Sequence, residues 1–299
     1  DYSYDYSSGY IDDSGNVQAD STYRIYKITK NEINSYDYLH WPGNQGAYKT
    51  TDGKPYPMGE QTMFFVYTDG FPHGSGSTSD SSLKAQILQT NWDYKPNEYY
   101  NSYPADPFNN TIFMEYRIIN RSDRTWNNLF VGFFADDDLG NATDDKVGCD
   151  TNLHIGYTYN ATNNEGIYGI APPAVGLKFV RGSLKYSGNL NDTVKYFQPF
   201  GSNKIIRKIG FKDEGLTVFS DPNDFTEPLN NAQTYRVMKG LMRDGGRWVN
   251  PVTNDTTNEK FSGDPVAGTG WIISGESDRH SYMSTGPFGN INPGDTITI

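Results

Sequence analysis

Phe113-Met114-Glu115-Tyr116-Arg117-Ile118-Ile119, a polar turn through Asn120-Arg121-Ser122-Asp123, then Asn128-Leu129-Phe130-Val131-Gly132-Phe133-Phe134 point to a β-protein. Both apolar runs are rich in aromatic and β-branched residues, and the segment between them is polar, so together they read as an antiparallel hairpin. The same signal recurs elsewhere. Tyr23-Arg24-Ile25-Tyr26-Lys27-Ile28 and Met63-Phe64-Phe65-Val66-Tyr67 alternate with period two, and Leu153 to Tyr159 and Gly166 to Ile170 read as further strands. Phe288 to Asn292 leads through the turn Pro293-Gly294-Asp295 into Thr296-Ile297-Thr298-Ile299, which begins another strand. At the opposite end Asp1-Tyr2-Ser3-Tyr4-Asp5-Tyr6 alternates strictly, so both ends are expected to cut through a β-pattern. Helical signal is thin: Asp221-Pro222-Asn223-Asp224 as a cap, and Ala232 to Met242 with Val237, Leu241 and Met242 on one side. The expectation is an all-β, antiparallel β-sandwich of the jelly-roll or immunoglobulin-like kind, as one or two sandwiches with long loops. No linker stands out, and His73 to Ser82 reads as a flexible loop. Residues 1–299 are therefore taken as one β-rich unit, with 1–180 and 181–299 as the alternative division.

The composition narrows the classes of function. A formal net charge of −11 argues against nucleic acid and against an anionic membrane surface. No run of eighteen apolar residues occurs, so no membrane insertion is expected. Abundant Tyr, Gly, Asn, Ser, Thr and Asp suit many short strands joined by polar turns, and suit the outside of a cell. The single cysteine, Cys149, excludes an internal disulfide and reads as a small buried hydrophobe. The chain starts at Asp1 rather than Met, as a mature or trimmed product would.

Asp136-Asp137-Asp138-Leu139-Gly140-Asn141-Ala142-Thr143-Asp144-Asp145 places five carboxylates within ten residues. Like charges about 4 Å apart repel by roughly 1 kcal/mol in water and by several times that near a protein surface. A hard cation with six to eight oxygen ligands removes that repulsion. Asp136 and Asp138 are spaced i, i+2, Gly140 permits a bend, and Asp144 or Asp145 can return from the far side, with Asn141 as a supplementary ligand. Ca2+ is therefore the expected ion, held by Asp136, Asp138, Asn141, Asp144 and Asp145. The loop lacks the EF-hand Glu at its twelfth position, and a hydrated acidic turn is the plainer alternative.

A wider set of segments carries a resemblance. Trp41-Pro42…Gln45-Gly46-Ala47, Gly53-Lys54-Pro55, Met58-Gly59-Glu60-Gln61-Thr62-Met63 and Tyr67-Thr68-Asp69 are the first of them. The acidic loop continuing through Lys146-Val147-Gly148-Cys149-Asp150-Thr151, Ile170-Ala171-Pro172-Pro173-Ala174-Val175-Gly176 and Gly263-Asp264-Pro265-Val266-Ala267-Gly268-Thr269-Gly270-Trp271 follow. Asp278-Arg279, Ser284 to Phe288 and Pro293-Gly294-Asp295-Thr296 complete it. Together they resemble the β-rich region of large secreted or cell-surface proteins of Bacteroidota and Ignavibacteria. Members usually carry a signal peptide before this region and further β-domains after it, often ending in a type IX secretion sorting domain. The family carries no assigned activity, so the resemblance implies architecture and an extracellular or cell-surface location rather than chemistry.

Catalytic motifs are absent. His40, His73, His154 and His280 are scattered without metal-ligand spacing, and neither a G-x-S-x-G elbow nor a phosphate-binding Gly loop occurs. A glycosidase needs two carboxylates about 5–10 Å apart, a condition that 36 acidic residues satisfy trivially. Trp41, Trp92, Trp126, Trp248 and Trp271, with the many tyrosines, could stack on sugar rings or serve the core and sheet faces. Asn-x-Ser/Thr sequons lie at Asn109, Asn120, Asn141, Asn160, Asn191 and Asn254, six where composition alone predicts roughly four or five. The resemblance adds an O-glycosylation pattern of Asp-Ser/Thr before an aliphatic residue or Thr, which fits Ser21, Thr193, Thr256 and Thr296. The functional expectation is an extracellular, non-enzymatic, calcium-stabilised structural or adhesive protein, self-assembling into a fibre or coat through its terminal strands. The alternative is a secreted protein that binds or cleaves glycans.

Overall fold

The computed structural model describes residues 9–70, 82–95, 107–197, 205–221 and 227–299. Strand accounts for 41% of the structure and helix for 8%, so the period-two reading carries the fold. The named strand pairs among the described residues are antiparallel, and the sheets are not closed. Two compact units form: residues 1–127, 195–208 and 290–299, and residues 128–194 and 209–289. The division considered from the sequence, after residue 180, falls inside the second unit.

The first unit is organised by a five-stranded sheet in the order Thr296–Thr298, Phe113–Asn120, Ala85–Asp93, Gln61–Thr68 and Tyr26–Thr29. Alternation along Gln61–Thr68 turns Phe64 and Val66 to one face, where they meet Leu88 and Ala47 in the core, with Tyr23, Trp41 and Ile119 around them. Fully burying side chains of this size stabilises by about 1.5–3 kcal/mol each. The final strand finds its partner within the chain: Ile297 lies opposite Ile118, and Ile299 and Tyr116 exchange both backbone hydrogen bonds at 3.0 Å. This terminal strand is therefore paired on one side within the chain. Asp1 to Tyr6 lie outside the described residues.

The hairpin expected at 113–134 does not form. Phe113–Asn120 pairs with Ala85–Asp93 in the first unit, whereas Leu129–Asp136 pairs with His280–Phe288 in the second. The intervening segment explains the change of partner. Asn120, fully buried, donates its amide hydrogens to the carbonyls of Arg124 and Ile291, and Trp126 forms a bridge to Ile291. Residue 120 is thereby tied to the chain's last segment rather than to a tight turn.

The second unit has two three-stranded sheets: Val218–Ser220, His280–Phe288 and Leu129–Asp136; and Ala174–Lys178, Ile155–Asn160 and Asp145–Asp150. Phe219 and Met283 of the first and Val147 and Cys149 of the second are buried, and the two sheets meet where Phe219 and Met283 close on Gly156. Gly156 sets their approach, because a Cβ there would fall 2.4 Å from Met283 Sδ and 2.7 Å from the Phe219 ring. Burial pushes the Cys149 thiol far above its ordinary pKa, as its reading as a small hydrophobe requires.

A helix spans Asn231–Met238, capped by Asn230, whose side chain accepts from the Gln233 N–H. It buries Val237 but stops short of Leu241 and Met242, because Gly240 adopts φ +77° and turns the chain. Of the other expected helix cap, residues 222–224 lie outside the described residues, as does all of the His73–Ser82 loop but Ser82.

Candidate functional site

Two clusters of ionisable groups gather in the second unit, at the end of the Leu129–Asp136 strand and in the acidic loop beyond it. The loop leaves that strand, passes a short 3₁₀ turn at Ala142–Asp144 and enters the strand Asp145–Asp150. Its expected ligands divide between different tasks. Asp145 is only 1% exposed. Its Oδ2 accepts from the Leu139 N–H at 3.0 Å, and its Oδ1 has no hydrogen-bond partner among the described residues. Burial pushes its carboxyl above the ordinary range, and the nearby carboxylates of Asp144, Asp138 and Glu165 push the same way. Asp144 accepts from the Asn160 amide at 3.1 Å. Asn141 uses its side-chain oxygen to cap the 3₁₀ turn, accepting from the N–H and hydroxyl of Thr143. Asp136 leaves this group and turns to His280.

Glu165 joins the acidic loop without any sequence signal. Its carboxylate packs so tightly on Gly140 that a Cβ there would lie 2.3 Å from its carboxyl carbon. Gly140 has φ +89°, so the position demands glycine for conformation as well as space. The N–H of Tyr168 and then that of Ile167 donate to Glu165 Oε2 at 2.8 and 2.6 Å, holding this carboxyl below its ordinary pKa. Asp137, by contrast, is raised, first by burial, then by Asp136 and Asp138, against a hydrogen bond from the Thr158 hydroxyl.

The second cluster arises from strand register. His280 lies directly opposite Asp136 in the antiparallel ladder. Asp278 precedes His280 by two residues, so both reach toward Asp136: His280 Nε2 lies 3.3 Å from Asp136 Oδ1 and 3.7 Å from Asp278 Oδ1. His280 Nδ1 is hydrogen-bonded to the Glu227 carboxylate, and Phe134 packs its edge against the imidazole at 5.4 Å. The Glu227 contact, followed by Asp136 and Asp278, raises the imidazole pKa, against a smaller opposing effect of burial. Among the described residues, Asp136, Asp278 and His280 form the one group of at least three His, Cys, Asp or Glu whose ligand atoms all lie within 4.8 Å of each other.

Arg279 points away from this cluster. It pairs with the buried Asp221 at 3.1 Å and donates to the Gly275 carbonyl, while Lys260 donates to the Asp221 carbonyl at 2.6 Å. Burial raises the Asp221 carboxyl, with Lys260 and Arg279 offsetting part of the effect. Burial also lowers the Lys260 amine to about 8, opposed by Asp221. Lys260 lies over the Trp248 and Phe261 rings at 4.1 and 4.7 Å.

The remaining candidates separate by exposure. Asn120 and Asn160 are buried with both ends of their amides engaged, so in the folded chain neither can carry a glycan, a correction to the sequon reading. Asn141, Asn191, Asn254, Ser21, Thr193, Thr256 and Thr296 are exposed, and the side chain of Asn109 lies outside the described residues. None of the five tryptophans is exposed. Trp41 donates to the Tyr48 carbonyl, Trp92 stacks on Phe113 and Trp271 packs against Phe261. Trp126 is buried and the other four are half-buried. No helix among the described residues is long and apolar enough to cross a membrane. No family model, curated protein or solved structure matches the chain.

Proposed function

We propose that this protein is a non-enzymatic structural or adhesive module of the cell surface whose acidic loop takes up calcium. The observation that carries the reading is Asp145, a nearly inaccessible carboxyl with an unpartnered oxygen beside the carboxylates of Asp138, Asp144 and Glu165. Burying an ionised carboxylate without a counter-charge is costly, so the group must hold either a proton or a cation. All the donors around it are oxygens, the set a calcium ion prefers. Of the five ligands expected from sequence, Asp136 is engaged with His280 and Asn141 caps the 3₁₀ turn. Asp138, Asp144 and Asp145, with Glu165 beside them, are left as candidates that an ion would have to draw together, since among the described residues no three of them bring ligand atoms within 4.8 Å of one another. The extracellular assignment rests on the resemblance to secreted β-rich surface proteins and on the polar composition. Assembly into a fibre or coat rests on the resemblance to surface proteins, since the five-stranded sheet ends in the short strands Tyr26–Thr29 and Thr296–Thr298, which blunt rather than invite edge pairing. For the glycan alternative, exposed aromatic faces are offered by tyrosines such as Tyr36, Tyr168 and Tyr186, while no tryptophan is exposed.

Thermal unfolding of metal-stripped protein, with and without millimolar calcium at constant ionic strength, tests the calcium reading. A ligand bound only by the native state stabilises it by about 2.7 kcal/mol at a hundred times its Kd. The melting temperature is expected to rise with calcium in the native sequence and to stay unchanged in Asp145→Asn. Superimposable curves for the native sequence would reject calcium uptake at this loop.

A further inference from the structure

We propose that Asp136, Asp278 and His280 form a second metal site, specific for a first-row divalent transition ion such as Zn2+ and separate from the calcium loop. Three features of the geometry lead there. The first is spacing. Ligands bound at about 2.0–2.2 Å to a tetrahedral or octahedral ion lie roughly 3.0–3.5 Å from each other. His280 Nε2 lies 3.3 Å from Asp136 Oδ1 and 3.7 Å from Asp278 Oδ1, and all three ligand atoms lie within 4.8 Å of one another, so the set needs only to draw together to meet an ion. The second is orientation. Glu227 holds Nδ1, which presents Nε2 toward the two carboxylates; a carboxylate behind a metal-binding histidine fixes its tautomer and raises its basicity in the same way. The backbone ladder that sets His280 opposite Asp136 fixes the two donors on one sheet before any ion arrives.

The third feature is charge. Glu227, Asp136 and Asp278 surround one imidazole, so even the imidazolium leaves two negative charges unbalanced. The neighbouring cations Arg279 and Lys260 are turned to Asp221 and cannot supply the balance. A divalent ion does so. The nitrogen donor separates this site from the all-oxygen calcium loop and selects zinc-like ions over calcium and magnesium. With side chains of Asp136 and Asp278 that are 51% and 60% exposed, the other coordination positions face solvent, where water or a donor group of another molecule can complete the shell. Sites that keep such open positions are of the three-ligand kind rather than the closed structural kind.

The test is titration of metal-stripped protein with Zn2+ against a chromogenic chelator, and with Co2+ followed by its visible absorption, in the presence of millimolar calcium. One ion per chain is expected, with a Co2+ spectrum showing nitrogen and oxygen donors. His280→Ala and Asp278→Asn, whose folding is checked by circular dichroism, should each lower zinc affinity by more than tenfold. Glu227→Gln should retain one ion per chain with affinity weakened by about 10–100-fold, the range measured when a histidine ligand loses its supporting partner. Absence of zinc binding by the folded native sequence, or zinc affinity unaltered in both His280→Ala and Asp278→Asn, would overturn the assignment. Neither result would bear on the calcium loop, which shares none of these three ligands.

Discussion

Lys260 shows how strongly a single side chain can depend on surroundings that its sequence neighbours do not announce. Its amine is buried between Asp221, Arg279 and the Trp248 and Phe261 rings, and burial lowers its pKa from 10.5 to about 8. The consequence for stability has a definite sign. Between the native and unfolded values the unfolded chain binds the proton that the native chain has released, so stability rises with pH across that window. We expect this group to add stability from about pH 8 to about pH 10.5, opposing the general decline in alkali. Urea unfolding at several pH values, compared between the native sequence and Lys260→Met, measures the contribution as the difference in slope. Asp221 accounts for the opposite risk: removing it leaves Arg279 and Lys260 buried without their counter-charge, a loss of about 3–5 kcal/mol for pairs of this kind. Phe261 is the one neighbour visible in Glu259-Lys260-Phe261; the rest of the burial, from Asp221, Trp248 and Arg279, comes from residues distant in sequence.

At the level of elements, the alternation of apolar residues located strands but not their partners. Phe113–Asn120 and Leu129–Asp136 were both recognisable, yet each pairs outside the expected hairpin, since period two reports which face is buried and is silent about which neighbour supplies the hydrogen bonds. The site shows the same division. The acidic loop was visible as a run of carboxylates, and its Asp145 proves to be the buried member. Glu165 was missed because only the fold sets it against Gly140. His280 was seen as one of four scattered histidines, and its partner Asp278 lies just before the strand that begins at His280, where strand alternation gives no signal. Asp136 could be added only once the ladder's register was known. The final strand offers a test at this scale. Deleting residues 296–299 strips the Phe113–Asn120 strand of its outer partner and of the paired bonds between Ile299 and Tyr116. An exposed edge of that kind invites pairing with another chain. We expect the truncated protein to scatter more light than the full chain at equal concentration, and scattering that stays at the level of the full chain would refute the edge-protecting role.

For the molecule as a whole, 36 acidic against 25 basic residues give a net charge of −11, and its self-repulsion is a cost of folding that ions can relieve in two ways. Monovalent salt acts everywhere by screening, with a Debye length of about 8 Å at 0.15 M ionic strength. Calcium at the acidic loop acts at one place, by binding. The two are separable: raising sodium chloride should raise the melting temperature of both the native sequence and Asp145→Asn by similar amounts, whereas calcium at fixed ionic strength should distinguish them. A salt response confined to one of the two proteins would show that the general charge balance does not govern the effect.

Asn120 has one more consequence, and it concerns the order of events in biosynthesis. Asn120-Arg121-Ser122 is a sequon while the chain is nascent and ceases to be reachable once folded, with Asn120 fully buried and Ser122 donating to its side-chain oxygen. A cell that attaches glycans during translocation therefore meets this asparagine before the fold closes over it. We expect a sugar placed there to displace the bonds to Arg124 and Ile291 and to destabilise the first unit. The same sequence is thus harmless to a host that modifies finished proteins and costly to one that modifies growing ones, a difference that selects its production host before any question of activity arises.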